Sequence, residues 1–170
     1  MTSDDLAYVG KGGDCMDFGL FLIYLAACGA AAATGALFPT GPWYAALRKP
    51  DWTPPNWMFP VVWFSLYLMM SAAAARAATV EGSSLGLALW SVQIAFNTLW
   101  TPVFFGLRRM KAALVPMAGL WLSVAATTVV FFTLDLWSGL MFVPYLVWVS
   151  IAAALNLSLV RLNPDAARAS

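Results

Sequence analysis

Apolar positions gather into five long runs separated by short polar breaks. The runs extend from about Phe18 to Phe38, Phe59 to Val80, Leu85 to Leu107, Ala112 to Phe132 and Leu140 to Leu162. Runs of this length approach the roughly 20 residues that carry an α-helix across a bilayer core. The pattern predicts an all-α membrane protein built as a bundle of five transmembrane helices. The breaks "EGSS", "RRMK" and "TLDLWSG" are short enough to force neighbouring spans to be antiparallel. Only the first connector, at about twenty residues, is long. The expected organisation is a polar tail over 1–17, a helical domain over 18–162 and a C-terminal tail over 163–170.

Composition agrees with the runs. Of the 170 residues, 62% are hydrophobic and 10% charged, against about 25% charged in a soluble domain. The net charge of +1, with no basic stripe, gives no footprint for nucleic acid. Asp4, Asp5, Asp14 and Asp17 against Lys11 make the first residues read as a short disordered tail, since a signal peptide begins with a basic region. Arg48, Lys49, Arg108, Arg109, Lys111, Arg161 and Arg168 fall on the side of the first connector and the C-terminus, whereas Lys11 and Arg76 fall on the other. In an inner-membrane-like bilayer this asymmetry puts the N-terminus outside and the long connector on the cytoplasmic face.

The absence of histidine removes the usual general base, the commonest metal ligand and the standard haem ligand together. Cys28 reads as a buried, inert thiol, and it forms no ligand pair with Cys15 in the tail. No metal site and no cofactor is expected. No cluster of nucleophile and base points to a hydrolase or transferase.

Small residues in "CGAAAATG" place Gly29 with Ala33 and Ala31 with Gly35 at the spacing of close helix contacts. Gly82 and Gly86 repeat that spacing at the start of the third span, where a flexible loop explains them equally well. There is no clear internal repeat, which argues against the inverted-repeat plan of many transporters.

Polar groups inside a span need a partner within the bundle. In "QIAFNTLWTP", Gln93, Asn97 and Trp100 or Thr101 share one helix face. They read either as interhelical hydrogen-bonding groups or as cavity lining, and the two roles are compatible. Pro102 predicts a kink. In the fifth span Tyr145, Trp148, Ala152 and Asn156 form one stripe, and Trp63 and Tyr67 stand one turn apart in the second. Trp57, Trp137, Trp43 and Trp90 read as interface anchors. Trp63, Trp100 and Trp148 lie further inside, and such rings opposite Ala152 predict a flat, mostly apolar cavity. The stretch "KPDWTPPNWMFPVVW" has prolines at 50, 54, 55 and 60, so the long connector is stiff and suited to lie over a cavity mouth.

The strings "WYAALRKPDWTPPNWMFPVVWFSLYLMM", "QIAFNTLWTPVFFG" and "VPYLVWVSIAAALN" resemble the TspO/MBR family, over about residues 18 to 162. That family comprises the translocator protein, or peripheral-type benzodiazepine receptor, and the bacterial tryptophan-rich sensory proteins. The resemblance implies a five-helix membrane protein, usually a homodimer, with a ligand pocket beneath the first connector. It implies binding of porphyrins such as protoporphyrin IX and, by likeness to animal members, of sterol and of synthetic isoquinoline carboxamide or benzodiazepine-type ligands. Carried over motif by motif, it assigns Tyr44, Pro55, Trp63, Asn97, Trp148, Ala152 and Leu155 to the pocket, beside the Trp100 read from the third span. Ala152 matches a position whose human polymorphism alters drug affinity. The segment "ALNLSLVR" has Leu157 where the proposed sterol consensus needs a tyrosine, so tight sterol binding is less expected than porphyrin binding.

Tetrapyrrole binding, for transport or sensing, is therefore the leading expectation. Arg48 and Lys49 are candidate partners for the propionates, or simply the charged flank of a cytoplasmic loop. Without histidine a metal-free macrocycle fits better. Light-dependent porphyrin degradation, with Trp63 and Trp148 as oxidisable partners, is the alternative from a different class. A sensory role through a dimer equilibrium is a third reading. Likeness to bacterial members points to a bacterial envelope, inner or outer membrane.

Overall fold

The structure, a computed structural model, describes residues 16–168. The readings of Lys11, Cys15 and the first three aspartates concern residues outside that range. Asp17 belongs to the first helix rather than to a tail: its carboxylate accepts from the Leu20 N–H at 3.0 Å and caps α1 (Phe18–Leu37). That interaction satisfies one of the N–H groups left free at a helix start. The long connector holds a short helix, α2 (Pro42–Ala46), which the hydropathy pattern did not predict. Then come α3 (Met58–Ala77), α4 (Ser84–Thr101), α5 (Leu114–Leu134), α6 (Leu136–Leu162) and the short α7 (Pro164–Arg168). Among the described residues there is no strand.

Four helices, α1, α3, α5 and α6, are long and apolar enough to cross a membrane. At 18 residues, α4 packs among them but carries Gln93, Asn97 and two threonines, which lower its apolarity. The span expected to reach Leu107 changes its winding at Pro102, where the kink was expected. Pro102 has no N–H to give, and Pro102–Gly106 winds as a π-turn in which the Leu107 N–H reaches back five residues to the Pro102 carbonyl at 2.8 Å. Arg108 then takes φ 56°, and the Arg109 N–H closes on the Val103 carbonyl at 3.1 Å. This left-handed cap usually belongs to glycine.

The break between α5 and α6 is shorter than "TLDLWSG" implied. It is one residue, Asp135, and α6 starts at Leu136 instead of Leu140. The Asp135 carboxylate accepts from the Ser138 N–H (2.8 Å) and hydroxyl (2.7 Å), and takes both arms of the Arg76 guanidinium at 3.0 Å. One side chain thus caps α6 and ties it to the end of α3. The two ions are about a fifth exposed. The guanidinium and the serine together hold this carboxyl well below the usual carboxylate range.

The main core lies among α3, α4, α5 and α6, where Leu66, Met70, Leu120, Val124, Phe131, Phe142 and Val149 are buried. Trp90 belongs to it too, which corrects its reading as an interface anchor. It is 3% exposed, its Nε1 donates to the Met70 carbonyl at 3.2 Å, and Tyr24 meets it edge-on. Trp57 and Trp137 are exposed, while Trp43 is half-buried against Phe104. Of the glycine pair in the third span, Gly82 forms a turn at φ 80° and only Gly86 packs: a Cβ there would stand 3.0 Å from the Phe131 ring. On α1, Cys28 and Ala31 are buried, but Gly29 and Gly35 face open space.

Candidate functional site

The polar face of α4 forms an ordered chain across to α6. The Asn97 Nδ2 donates to the Tyr145 hydroxyl at 3.1 Å, and that hydroxyl donates to the Gln93 Oε1 at 2.8 Å. One turn on, the Trp100 Nε1 donates to the Asn156 Oδ1 at 3.1 Å, and the Asn156 Nδ2 donates to the Met110 carbonyl at 3.1 Å. Gln93 is fully buried and joins helices without lining any cavity. Asn97 does both.

Beyond this chain opens a cavity of about 610 Å³, within the size range of small-molecule sites. Trp63 and Tyr67 of α3 line it, with Asn97, Trp100, Phe104 and Phe105 of α4 and its π-turn. Trp148, Ala152, Leu155 and Asn156 of α6 also line it, as does Tyr44 of α2 in the connector. The structure thus brings together Tyr44, Trp63, Asn97, Trp100, Trp148, Ala152 and Leu155. It leaves out Pro55, which is exposed in the connector, and the two cations.

The basic pair is occupied differently from a propionate clamp. The Lys49 ammonium donates to the carbonyls of Tyr44 (2.9 Å), Ala45 (3.4 Å) and Leu47 (3.4 Å), and lies 4.6 Å from the Tyr44 ring centre. It therefore serves as the cap of α2, beside a second, more polar space of about 410 Å³ that shares Thr40, Tyr44 and Asn56 with the first. Arg48 is held by its backbone: the Asn163 side chain accepts from its N–H and donates to its carbonyl, both at 2.9 Å. Burial pushes the Tyr44 phenol up, so it stays protonated at neutral pH.

The aromatic rings of the lining and of the core behind it contact one another in groups. Trp63 stands 5.4 Å from Tyr67 and 6.1 Å from Tyr145, and Trp100 stacks on Phe104 at 4.9 Å. Such spacings are those of favourable ring pairs. The Trp148 indole is 7% exposed, and its Nε1 has no hydrogen-bond partner. A buried donor left unpaired costs about 1–3 kcal/mol, and this one stands at the wall of a cavity. Phe104, Phe105 and Tyr67 were not among the expected site residues. Phe104, four residues after Trp100, shares its face by ordinary helical spacing; the signal for Phe105 was Pro102, since a π-turn brings residues five apart onto one face.

Comparison with known proteins agrees with this architecture. Residues 21–162 match the model of the TspO/MBR family. The chain is similar to protein CrtK of Rhodobacter capsulatus, at 55% identity over 153 residues, covering 88% of this chain and 96% of that protein. It is also similar to a tryptophan-rich sensory protein of Cereibacter sphaeroides, at 56% identity over 148 residues, 87% of this chain and 94% of the relative. The human translocator protein is 35% identical over 126 residues, covering 71% and 75% of the two chains. With its apolar helices and these relatives, the chain belongs to the TspO/MBR family of multi-pass membrane proteins.

Proposed function

We propose that this protein binds a metal-free tetrapyrrole such as protoporphyrin IX in the cavity beneath the first connector. The observation that carries the reading is a mostly apolar chamber lined by Trp63 and Trp148 in which, among the described residues, the buried, unpartnered polar group at the wall is the Trp148 N–H. A planar macrocycle offers faces for the rings and nitrogen or carboxylate acceptors for that donor. Arg48, exposed and next in chain to Lys49, is the better partner for a propionate, since Lys49 would first have to leave three carbonyls. Sterol and isoquinoline carboxamide ligands suit the apolar volume but engage fewer of its polar groups. In this reading α4 with its π-turn is the fifth membrane span, the connector is cytoplasmic, and the protein works as a homodimer.

Protoporphyrin quenching of tryptophan fluorescence tests the site. Saturable quenching is expected, and Trp63→Phe and Trp148→Phe should each weaken it about tenfold. Quenching that never saturates in lipid would sink the proposal. A second reading, light-dependent degradation of the macrocycle, is favoured by the run of oxidisable rings from Trp63 and Tyr67 at the chamber wall to the buried Tyr145 behind it. Loss of porphyrin absorbance under illumination that disappears in both tryptophan variants would establish it.

A further inference from the structure

The chamber is not closed around its circumference. On the α1 side, Ala32 and Gly35 line it and are also exposed. On the α3 side the same holds for Pro60 and Phe64, the latter 66% exposed. A residue that both lines a cavity and faces outward marks an opening: Pro39, Thr40 and Asn56 mark one at the connector, and these four mark a second along the seam between two neighbouring helices. Both helices are long and apolar enough to cross a membrane. Phe64 lies six residues into α3, about 9 Å along the helix axis. Ala32 lies five residues before the end of α1, about 8 Å along its axis. The opening therefore runs along the depth of the apolar segments and faces acyl chains.

The other flank of α1 is shut. Phe38 sits so close to the π-turn that a Cβ on Gly106 would stand 2.8 Å from its ring. At Gly35 an added Cβ would meet nothing within 4 Å, so the small residue there serves no helix contact within the chain. The connector beside its own opening is held in place: Asn163 holds the Arg48 backbone from both sides, and Lys49 binds the end of α2. Inside, the Trp148 N–H waits for an acceptor.

Resting on the reading of the cavity as a ligand chamber, we infer that its ligand arrives from the bilayer, sideways through the α1–α3 seam, in preference to the connector-side opening. The ligand class this selects is a flat molecule dissolved in the membrane, carrying one acceptor for Trp148. Small residues at 32 and 35 set the width of the door, and Phe64 is its movable jamb. A bulky apolar ligand gains by this route because it never has to leave the acyl phase.

Thiol labelling tests the route without any tetrapyrrole. Ala152→Cys places a single thiol in the chamber, in a background with Cys15→Ser and Cys28→Ala, reconstituted in lipid bilayers. A membrane-dissolved maleimide and a charged, water-soluble thiosulfonate are then timed. The apolar reagent is expected to react with its thiol readily, and Gly35→Trp should slow it about tenfold, a change in barrier small enough for one added side chain. Gly35→Trp should leave the charged reagent's rate as it was. Phe64→Ala should speed the apolar reagent and serves if Gly35→Trp does not fold. Indifference of the apolar reagent to both substitutions, or faster labelling by the charged one, overturns the route. Protoporphyrin quenching on the same proteins reports separately on the tetrapyrrole reading, so a side door without porphyrin and porphyrin without a side door give different results.

Discussion

The two ends of the bundle join their helices in opposite ways. At one end α3 passes to α4 through a six-residue turn, α5 passes to α6 through Asp135 alone, and Arg76 locks the two connections with a bidentate pair. At the other end a long connector, a five-residue helix and a π-turn surround the chamber. A cavity between helices forfeits side-chain packing wherever it occurs. The tight end keeps the helices in register while the loose end keeps space open. Rules that hold at one end are broken at the other, as expected where a site is maintained against stability.

Breaking the tight end should have the largest effect. Arg76→Ala leaves a half-buried carboxylate without its partner and should lower stability by about 2–3 kcal/mol, read as a fall in the thermal midpoint in nanodiscs. Next comes the middle of the bundle. Tyr145→Phe removes the hydroxyl between Asn97 and Gln93, orphaning two buried amides at a cost of about 2 kcal/mol. It should also weaken porphyrin quenching, because Asn97 is then free to turn.

The pH response sharpens the same contrast. The Asp135 carboxyl titrates in the folded protein well below its unfolded value of about 4. Its contribution is therefore fully present above about pH 4 and is lost as pH falls through the folded value. The thermal midpoint should hold from neutral pH down to that point and then decline, and Arg76→Ala should blunt the decline. An unchanged acid slope in the variant would remove the ion pair from the account. The smallest effect belongs to the loose end. Asn163→Ala should cost about 1 kcal/mol or less, and its clearer signature is faster hydrogen exchange at the Arg48 amide.

Much of this architecture was legible from the chain, and the gaps have physical causes. The apolar runs located α1, α3, α5 and α6 to within a few residues, because span length is a composition signal. The three-and-four spacing of Gln93, Asn97 and Trp100 put them on one face, and the structure separates their roles by burial. Trp90 was misread because position along a span gives depth in the membrane and says nothing about which way a ring points around the helix. Asp135 looked like one polar residue in a loop, since a carboxylate that caps one helix and pins another reads in sequence as loop polarity. Pro55 came from likeness of motif and Lys49 from its place in the chain near the mouth, and neither carries the path of a connector. Phe105 escaped because a regular helical wheel turns it away from Trp100, whereas Phe104 was legible from its four-residue spacing and was passed over.

A π-turn is in effect one residue more than an α-helix needs, and it resets the phase of everything after it. Deleting Val103 would let Thr101 run into a regular helix, turning the following segment by about 100°. Met110 would swing off the Asn156 amide that now holds its carbonyl, and Phe105 would leave the chamber wall. The spare residue therefore acts as a phase shifter between the membrane helix and the loop that follows, and length variation at this point would be felt as a change in the shape of the site.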